Sequence, residues 1–230
     1  MKIKQTATNS RNHLQMGIYA VINPLVKGMI KLHITPNVVT TIGFLGNLAA
    51  AAVIVWAAMR PTGAPVDFSM LTWAGALIIG FSLFDMLDGQ VARLGNMAST
   101  FGAMYDSVLD RYCELLTLGA LSLYMLSCDL MLGALLTFLA LVGSIMVSYV
   151  RARAEGLGIE CKIGFLQRPE RVVITSLATL ATGIAGSCGA GFDANLILVW
   201  AMGFIALFAN ITAFARLAYS RRQLTLKEKK

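Results

Sequence analysis

The sequence predicts an all-α integral membrane protein: a six-transmembrane-helix bundle with an N-terminal interfacial amphipathic helix, both termini cytoplasmic. Three observations predict it. Hydrophobic residues make up 57% of the chain and charged ones 13%, and the mean hydropathy of +0.70 lies far above that of a water-soluble globule. Apolar runs long enough to cross a bilayer, which takes about 20 helical residues, fall near 37–59, 67–88, 98–127, 130–150, 171–187 and 193–216. Basic residues are unevenly shared between the connections, which fixes an orientation.

The elements follow in order. Met1 to Leu14 is polar and basic, with neither the apolar core nor the small-residue cleavage site of a removable signal peptide. "HLQMGIYAVINPLVKGMIKLH", residues 13–33, mixes Ile, Leu, Val and Met with Lys27 and Lys31 and is interrupted at Pro24, the pattern of a helix lying in the membrane interface. "ITPNVVTT" supplies a turn at Pro36 and a cap at Asn37 before the first span. Arg60 alone stands between spans one and two, and the connections after spans three and five hold no Lys or Arg. The remaining basic residues cluster at the opposite ends, placing both termini in the cytoplasm. The predicted organisation is an N-terminal segment 1–36, a transmembrane catalytic domain 37–218 and a basic tail 219–230.

The net charge of +7 fits anionic headgroups rather than nucleic acid in so apolar a chain. Cys113, Cys128, Cys161 and Cys188 show no CxxC spacing, and His13 and His33 fall in no ligand pattern, so neither a disulfide scaffold nor a zinc site is expected.

Against this background four acids stand out. In "DMLDGQVARLGNMASTFGAMYDSVLD", residues 85–110, Asp85 and Asp88 end the second span and Asp106 and Asp110 open the third, all toward the cytoplasmic side. Spacings of three and four residues put each pair on one helix face. Four carboxylates crowded in a low dielectric need compensating cations, and an all-oxygen donor set favours hard ions such as Mg²⁺, Mn²⁺ or Ca²⁺. Gly89 and Gly102 beside the acids allow close approach of a ligand, and Arg93 is a candidate phosphate contact. Cation or proton transport through the same carboxylates is the competing reading at this level, although no inverted repeat of the transporter kind is visible. Glu114, one turn past Asp110, is assigned to pairing or orientation rather than to the site.

The stretch fits D-x2-D-G-x2-A-R-x8-G-x3-D-x3-D at every specified position, and in this the chain resembles the CDP-alcohol phosphotransferase (class I CDP-alcohol phosphatidyltransferase) family. Six spans, an interfacial N-terminal helix and the "TPNVVT" turn are similar to that family as well. The resemblance implies displacement of CMP from a CDP-linked lipid by an alcohol. It implies that Asp85, Asp88, Asp106 and Asp110 hold two divalent cations, Mg²⁺ or Mn²⁺, with Asp110 also the general base. It further implies that Asn37, Val38, Val39, Thr40, Asp85, Gly89, Arg93 and Ser99 contact the CDP-lipid, and that the protein is a homodimer in a prokaryotic-type inner membrane, its site facing the cytoplasm.

The acceptor is written further along. "SYVRARAEGLGIECKIGFLQRPERVVI", residues 148–174, carries five basic residues, and Arg216 ends the last span. Such charge is ordinary for a cytoplasmic loop, but arginines at span ends are also placed to fork a phosphate dianion. "RARAE" followed by "QRPER" resembles the prokaryotic phosphatidylinositol-phosphate synthase branch, with Arg151 where lysine is common and Gln167 where glutamate is common. The branch implies CDP-diacylglycerol as donor and inositol 1-phosphate as the phosphorylated polyol acceptor, held by Arg151, Arg153, Arg171 and Arg216. Glycerol 3-phosphate, serine and free inositol remain alternatives for the same chemistry.

Overall fold

A computed structural model describes residues 23–59 and 65–228. The described residues are helical throughout, with no strand among them. A helical stretch, α1, is described over 23–31; it is followed by α2 (Pro36–Ala58), α3 (Phe68–Ser82), α4 (Phe84–Leu94), α5 (Thr100–Ser127), α6 (Met131–Gly156), α7 (Arg168–Ser187) and α8 (Asn195–Glu228). A helix thus stands at each of the six segments whose apolar runs predict one. Among the described residues, four stretches are long and apolar enough to cross a membrane: Pro36–Ala58, Phe68–Leu94, Met131–Gly156 and Asn195–Glu228. α5 and α7 fall outside that group despite their length, because α5 carries Asp106, Asp110, Arg111 and Glu114 in its first half and α7 opens on Arg168, Glu170 and Arg171. Of the predicted interfacial helix, residues 13–22 lie outside the described residues, as do Arg60 and the last two lysines of the tail. Pro24 lies inside the described helical stretch.

The chain divides into two compact units. The first comprises the chain up to Gly43 and Ser82–Leu109. Its core is small: Val26, Val39, Leu87 and Val91 are buried, with Met29, Ile30, Ile34, Phe84 and Met97 packed around them. α2 begins one residue earlier than the expected cap, with Pro36 as its first residue and the Thr35 carbonyl accepting from the N–H groups of Val38 and Val39. Proline is suited to that position because its fixed φ matches the helix. After α4 the chain turns at Gly95 and Asn96, the latter in the left-handed region at φ 52°, and the Met97 N–H closes the turn on the Ala92 carbonyl at 2.9 Å.

The second unit comprises Phe44–Phe81 and the chain from Asp110 onward. Ile54, Leu71, Leu121, Tyr124, Met125, Leu198, Met202 and Ile205 are essentially sealed within its core, and α6 and α7 both pack on α8. Lipid is as apolar as leucine, so helices associate in a membrane through close packing and interhelical hydrogen bonds rather than through water exclusion. That is how α3 meets α7: a Cβ on Gly75 would lie 2.5 Å from the Leu180 backbone nitrogen and one on Gly183 2.3 Å from that of Thr72. Polar links supplement the packing, with Tyr124 Oη donating to Asn195 Oδ1 at 2.7 Å and Asn210 Nδ2 to the Leu139 carbonyl at 3.1 Å. Large apolar side chains such as Trp56, Trp73, Trp200 and Phe214 stand exposed on the outside, as a lipid-facing surface requires.

At 34 residues, α8 runs to about 51 Å at 1.5 Å per residue, well beyond a ~30 Å hydrocarbon core. Its last turns have a partner. Tyr219 and Leu224 pack with Ala154, Ile159, Cys161 and Ile163, and Lys227 Nζ donates to the Gly158 carbonyl at 2.6 Å. The C-terminal turns therefore hold the connection between α6 and α7, where the sequence suggests only an exposed basic end.

Candidate active site

In the first unit, the first turn of α2, α4 and the start of α5 enclose a cavity of about 220 Å³, lined among others by Asn37, Thr40, Asp88, Gly89, Ser99, Gly102 and Asp106. Helical periodicity decides which residues of the Asn37–Thr40 segment reach it. Asn37 and Thr40, three apart, share the cavity face. Val39 is fully buried in the small core and Val38 is 47% exposed; neither is among the residues that line the cavity.

Asp88 is the acid most deeply set, at 6% exposure. Thr40 Oγ1 donates to its Oδ2 at 2.7 Å and lies 3.0 Å from the Pro36 carbonyl. The Gly89 N–H is its backbone partner, and the charges acting on it, Asp106 and Asp85, are both negative. The two glycines differ. A Cβ on Gly89 would come no closer than 3.6 Å to Arg93 Nη2, whereas one on Gly102 would stand 3.0 Å from Ser99 Oγ and 3.2 Å from Asn37 Oδ1. Gly102 is thus the tighter of the two positions, where a side chain would press on the cavity's own lining. Ser99 also caps α5, its Oγ accepting the Gly102 N–H at 2.9 Å. Arg93 is exposed and folds back on its own helix, Nε donating to the Gly89 carbonyl at 3.0 Å.

Among the described residues no three His, Cys, Asp or Glu side chains are gathered as a ready metal cluster. The donor chemistry nevertheless fits a hard divalent cation: Asp88 and Asp106 open on the cavity beside the oxygens of Thr40, Ser99 and Asn37, with no thiol or imidazole in the lining.

In the second unit the charged groups are arranged in pairs. Arg168 Nη2 meets Asp110 Oδ1 at 2.7 Å, with Arg111 Nη1 at 3.7 Å from the other carboxylate oxygen. One turn further along α5, Glu114 takes Arg171 bidentately: Nε to Oε1 at 2.7 Å and Nη2 to Oε2 at 3.1 Å. Arg171 Nη1 donates to the Leu166 carbonyl at 3.1 Å. Arg216 donates Nε to the Ile163 carbonyl at 2.7 Å and Nη1 to that of Val147 at 2.8 Å, and Arg151 and Arg171 are within electrostatic reach of it. Arg151 makes an exposed pair with Glu155 at 2.9 Å, and Arg153 is exposed. Sequence reasoning left Arg168 out of the acceptor set and assigned Glu114 to pairing or orientation without finding its partner. The signal that could have found both is the match between acids four apart on α5 and arginines three apart on α7.

The model of the CDP-alcohol phosphatidyltransferase family matches residues 33–214. A phosphatidylinositol phosphate synthase of Cutibacterium acnes is 31% identical over 212 residues, covering 91% of this chain and 97% of that protein. The synthase of the same name from Mycobacteroides abscessus is 30% identical, covering 86% and 82%. Among solved structures, a Mycobacterium tuberculosis phosphatidylinositol phosphate synthase with CDP-DAG bound aligns with a TM-score of 0.73 at 27% identity, over 87% of this chain and 94% of that one. The same enzyme in complex with manganese and citrate aligns with a TM-score of 0.71. The match takes in all eight fixed positions of the aspartate motif and nearly every described helix, so the chain belongs to the CDP-alcohol phosphatidyltransferase family and is a membrane transferase of phospholipid synthesis.

Proposed function

We propose that this enzyme transfers the phosphatidyl group of CDP-diacylglycerol to inositol 1-phosphate, releasing CMP. The observation that carries the reading is the cavity in which Asp88, Gly89, Ser99, Gly102 and Asp106 of one continuous motif region converge with Thr40 of α2, in a chain that matches phosphatidylinositol phosphate synthases over 97% and 82% of their length. Asp85, Asp88, Asp106 and Asp110 would hold two divalent cations, Mg²⁺ or Mn²⁺. When bound, these supply the positive charge that offsets the diphosphate and the departing CMP.

The protein's own groups do the rest. Gly89 and Gly102 let the nucleotide lipid lie against the helix backbones, with Asn37, Thr40, Ser99 and Arg93 around it. Asp110 takes the proton of the acceptor hydroxyl as its oxygen bonds to the phosphatidyl phosphorus and the bond to CMP breaks. Arg151, Arg153, Arg171 and Arg216 take the acceptor's phosphate. The Arg151–Glu155 pair is exposed and cheap to exchange, and Arg216 presents Nη2 once its other nitrogens are spent on the backbone. Around this site the fold is read as six spans with both termini and the active site on the cytoplasmic face, in a homodimer.

The test is CMP release and lipid labelling by the purified protein with CDP-diacylglycerol, Mg²⁺ or Mn²⁺ and labelled inositol 1-phosphate. Glycerol 3-phosphate, serine and free inositol serve as competitors. Incorporation of inositol 1-phosphate in preference to the others is expected. Preferred use of another acceptor would overturn the acceptor assignment, and absence of CMP release with all four would overturn the reaction.

A further inference from the structure

We propose that the connection between α6 and α7 is an extended strap laid along one face of α8, and that Leu224 and Lys227 are positioning residues that act through this strap on Arg216. The part played in acceptor binding rests on the reaction and the phosphate-holding arginines proposed above, whereas the strap itself rests on geometry alone.

Residues 159–164 run without helix, strand or turn, and their burial alternates. Ile159 and Cys161 are 4% and 0% exposed, and Ile163 packs beside them. Glu160 and Lys162 stand outward between them, paired with each other at 2.6 Å. A period of two belongs to extended chain with one side covered. The covering element is α8, whose Tyr219 and Leu224 meet Ile159, Cys161 and Ile163 together with Ala154 of α6.

The strap and the helix run antiparallel and in register. Lys227 Nζ donates to the Gly158 carbonyl at 2.6 Å, and Ser220 Oγ faces Cys161 Sγ at 3.9 Å. Arg216 Nε donates to the Ile163 carbonyl at 2.7 Å, and Thr212 abuts Gly164, where a Cβ would lie 2.4 Å from Thr212 Cγ2. Thr212, Arg216, Ser220 and Leu224 recur every four residues, with Lys227 three further on, so all five share one helix face. From Thr212 to Lys227 the helix rises about 22 Å, and the chain from Gly158 to Gly164 reaches at most about 20 Å at full stretch. A strap of that length has no slack once both ends are held. Each end turns on a glycine in the positive-φ region, Gly158 at 71° and Gly164 at 130°, a conformation that a side chain would disfavour.

Arg216 lies where the strap meets the acceptor arginines. The Ile163 carbonyl holds its Nε, and the Val147 carbonyl of α6 holds Nη1 at 2.8 Å. A guanidinium carries five N–H donors, so these two bonds aim the group and leave the remaining three for a phosphate. Ala154, in the cluster beneath the strap, directly follows Arg153 and lies three residues from Arg151. Loosening the last turns of α8 therefore releases Ile163 and turns Arg216 aside without removing any group that touches the acceptor. The lining of the donor's cavity comes from elsewhere, from α2, α4 and the segment that leads into α5.

The experiment uses the full chain in detergent and compares Lys227→Met, Lys227→Arg, Leu224→Asn and the Leu224→Asn, Lys227→Met double variant. CMP release gives kcat and the KM of acceptor and donor. Maleimide labelling read by peptide mass spectrometry gives the rate at which buried Cys161 becomes reactive, with exposed Cys188 as the reference in the same sample. Each of Lys227→Met and Leu224→Asn is expected to raise the acceptor KM about threefold and the double variant about tenfold, with donor KM and kcat within about twofold of native. Cys161 labelling is expected to quicken about tenfold in the double variant. Lys227→Arg, which can still donate to the Gly158 carbonyl, is expected to keep native values of both. A double variant whose Cys161 becomes reactive while the acceptor KM stays native would show that the strap opens without disturbing Arg216, and the proposal falls. It falls equally if neither quantity changes, or if donor KM and kcat move as far as the acceptor KM, the mark of general loosening.

Gly164→Ala approaches the same joint from its other end. Crowding Thr212 there is expected to raise the acceptor KM about tenfold with the donor KM native, and an unchanged acceptor KM would overturn the proposal. Should the native protein prefer another acceptor, the KM comparison is made with that acceptor. Should it release no CMP with any acceptor, the reaction proposed above falls. The strap is then judged by Cys161 labelling, and its hold on Arg216 by whether the double variant binds inorganic phosphate more weakly than the native protein; equal binding overturns it.

Discussion

Asp88 and Arg171 are both buried charges, and the protein treats them in opposite ways. Arg171 is met by a full counter-charge and a carbonyl. Asp88 is met by a hydroxyl and a backbone N–H, while the charges that act on it, Asp106 and Asp85, share its sign. A buried carboxylate in like-charged company is the arrangement that a divalent cation would complete. The contrast sets a buried charge matched by an opposite one within the chain against a buried charge that faces a cavity in like-charged company.

Chemistry offers the largest test of that contrast. Asp110→Asn keeps the shape of the side chain and removes its capacity to take a proton. CMP release is expected to drop by about 10²–10⁴-fold, the range of general-base contributions, with CDP-lipid binding to the purified protein largely retained. Loss of binding in parallel with turnover would assign Asp110 to the donor instead. Chelation of divalent ions is expected to abolish CMP release by the native protein, and added Mg²⁺ or Mn²⁺ to restore it; activity that survives chelation would break the metal half of the comparison.

Next come two neutralisations that should move stability in opposite directions. In chelator, Asp88→Asn removes one of three like charges and is expected to raise the thermal midpoint, by an equivalent of about 1 kcal/mol. Arg171→Met strands Glu114 and is expected to cost about 3–5 kcal/mol under the same conditions. If both variants lose stability alike, Asp88 is an ordinary structural acid and the distinction drawn above fails.

How much of this the sequence carries depends on the range of the interaction. The helices were legible because apolar runs and their polar interruptions are local, and the aspartate face was legible because its spacing is that of a single turn. The Glu114–Arg171 fork was not, since 57 residues separate its partners and composition offered Arg111 as a nearer candidate. Val38 and Val39 illustrate a different limit: a four-residue motif on a helix must send its side chains to different faces, and only Asn37 and Thr40 reach the cavity. The contacts of the basic tail were not legible for a third reason, that a charged helix end shows its pattern to solvent but conceals which loop it grips.

Two glycines extend the comparison to backbone contacts. Gly183 belongs to the architecture: a side chain there would run into the Thr72 backbone at 2.3 Å, which cannot rotate aside. Gly183→Leu is expected to cost about 1–3 kcal/mol in thermal unfolding without altering substrate preference in whatever fraction stays folded. Gly80, with nothing within 4 Å of its would-be Cβ, is the control, and Gly80→Ala is expected to be neutral or stabilising by up to about 1 kcal/mol.

Gly102 belongs to the working site, and the smallest effect is also the most diagnostic. A methyl group there would press on Ser99 Oγ at 3.0 Å and Asn37 Oδ1 at 3.2 Å, both of them side-chain atoms that can give by a few tenths of an ångström. The helix itself gains from the change, because alanine loses less backbone freedom than glycine. The substituted protein is therefore expected to be as stable as the native one or slightly more so. Its cavity, however, is narrowed where the nucleotide lipid is proposed to lie, and the KM for CDP-diacylglycerol is expected to rise about tenfold, or about 1.4 kcal/mol, with acceptor KM unchanged. Stability preserved while donor binding is lost would mark Gly102 as kept for the ligand. If the KM for the donor stayed at its native value, the glycine would be serving only the turn that Ser99 caps, and the cavity would not be the donor's.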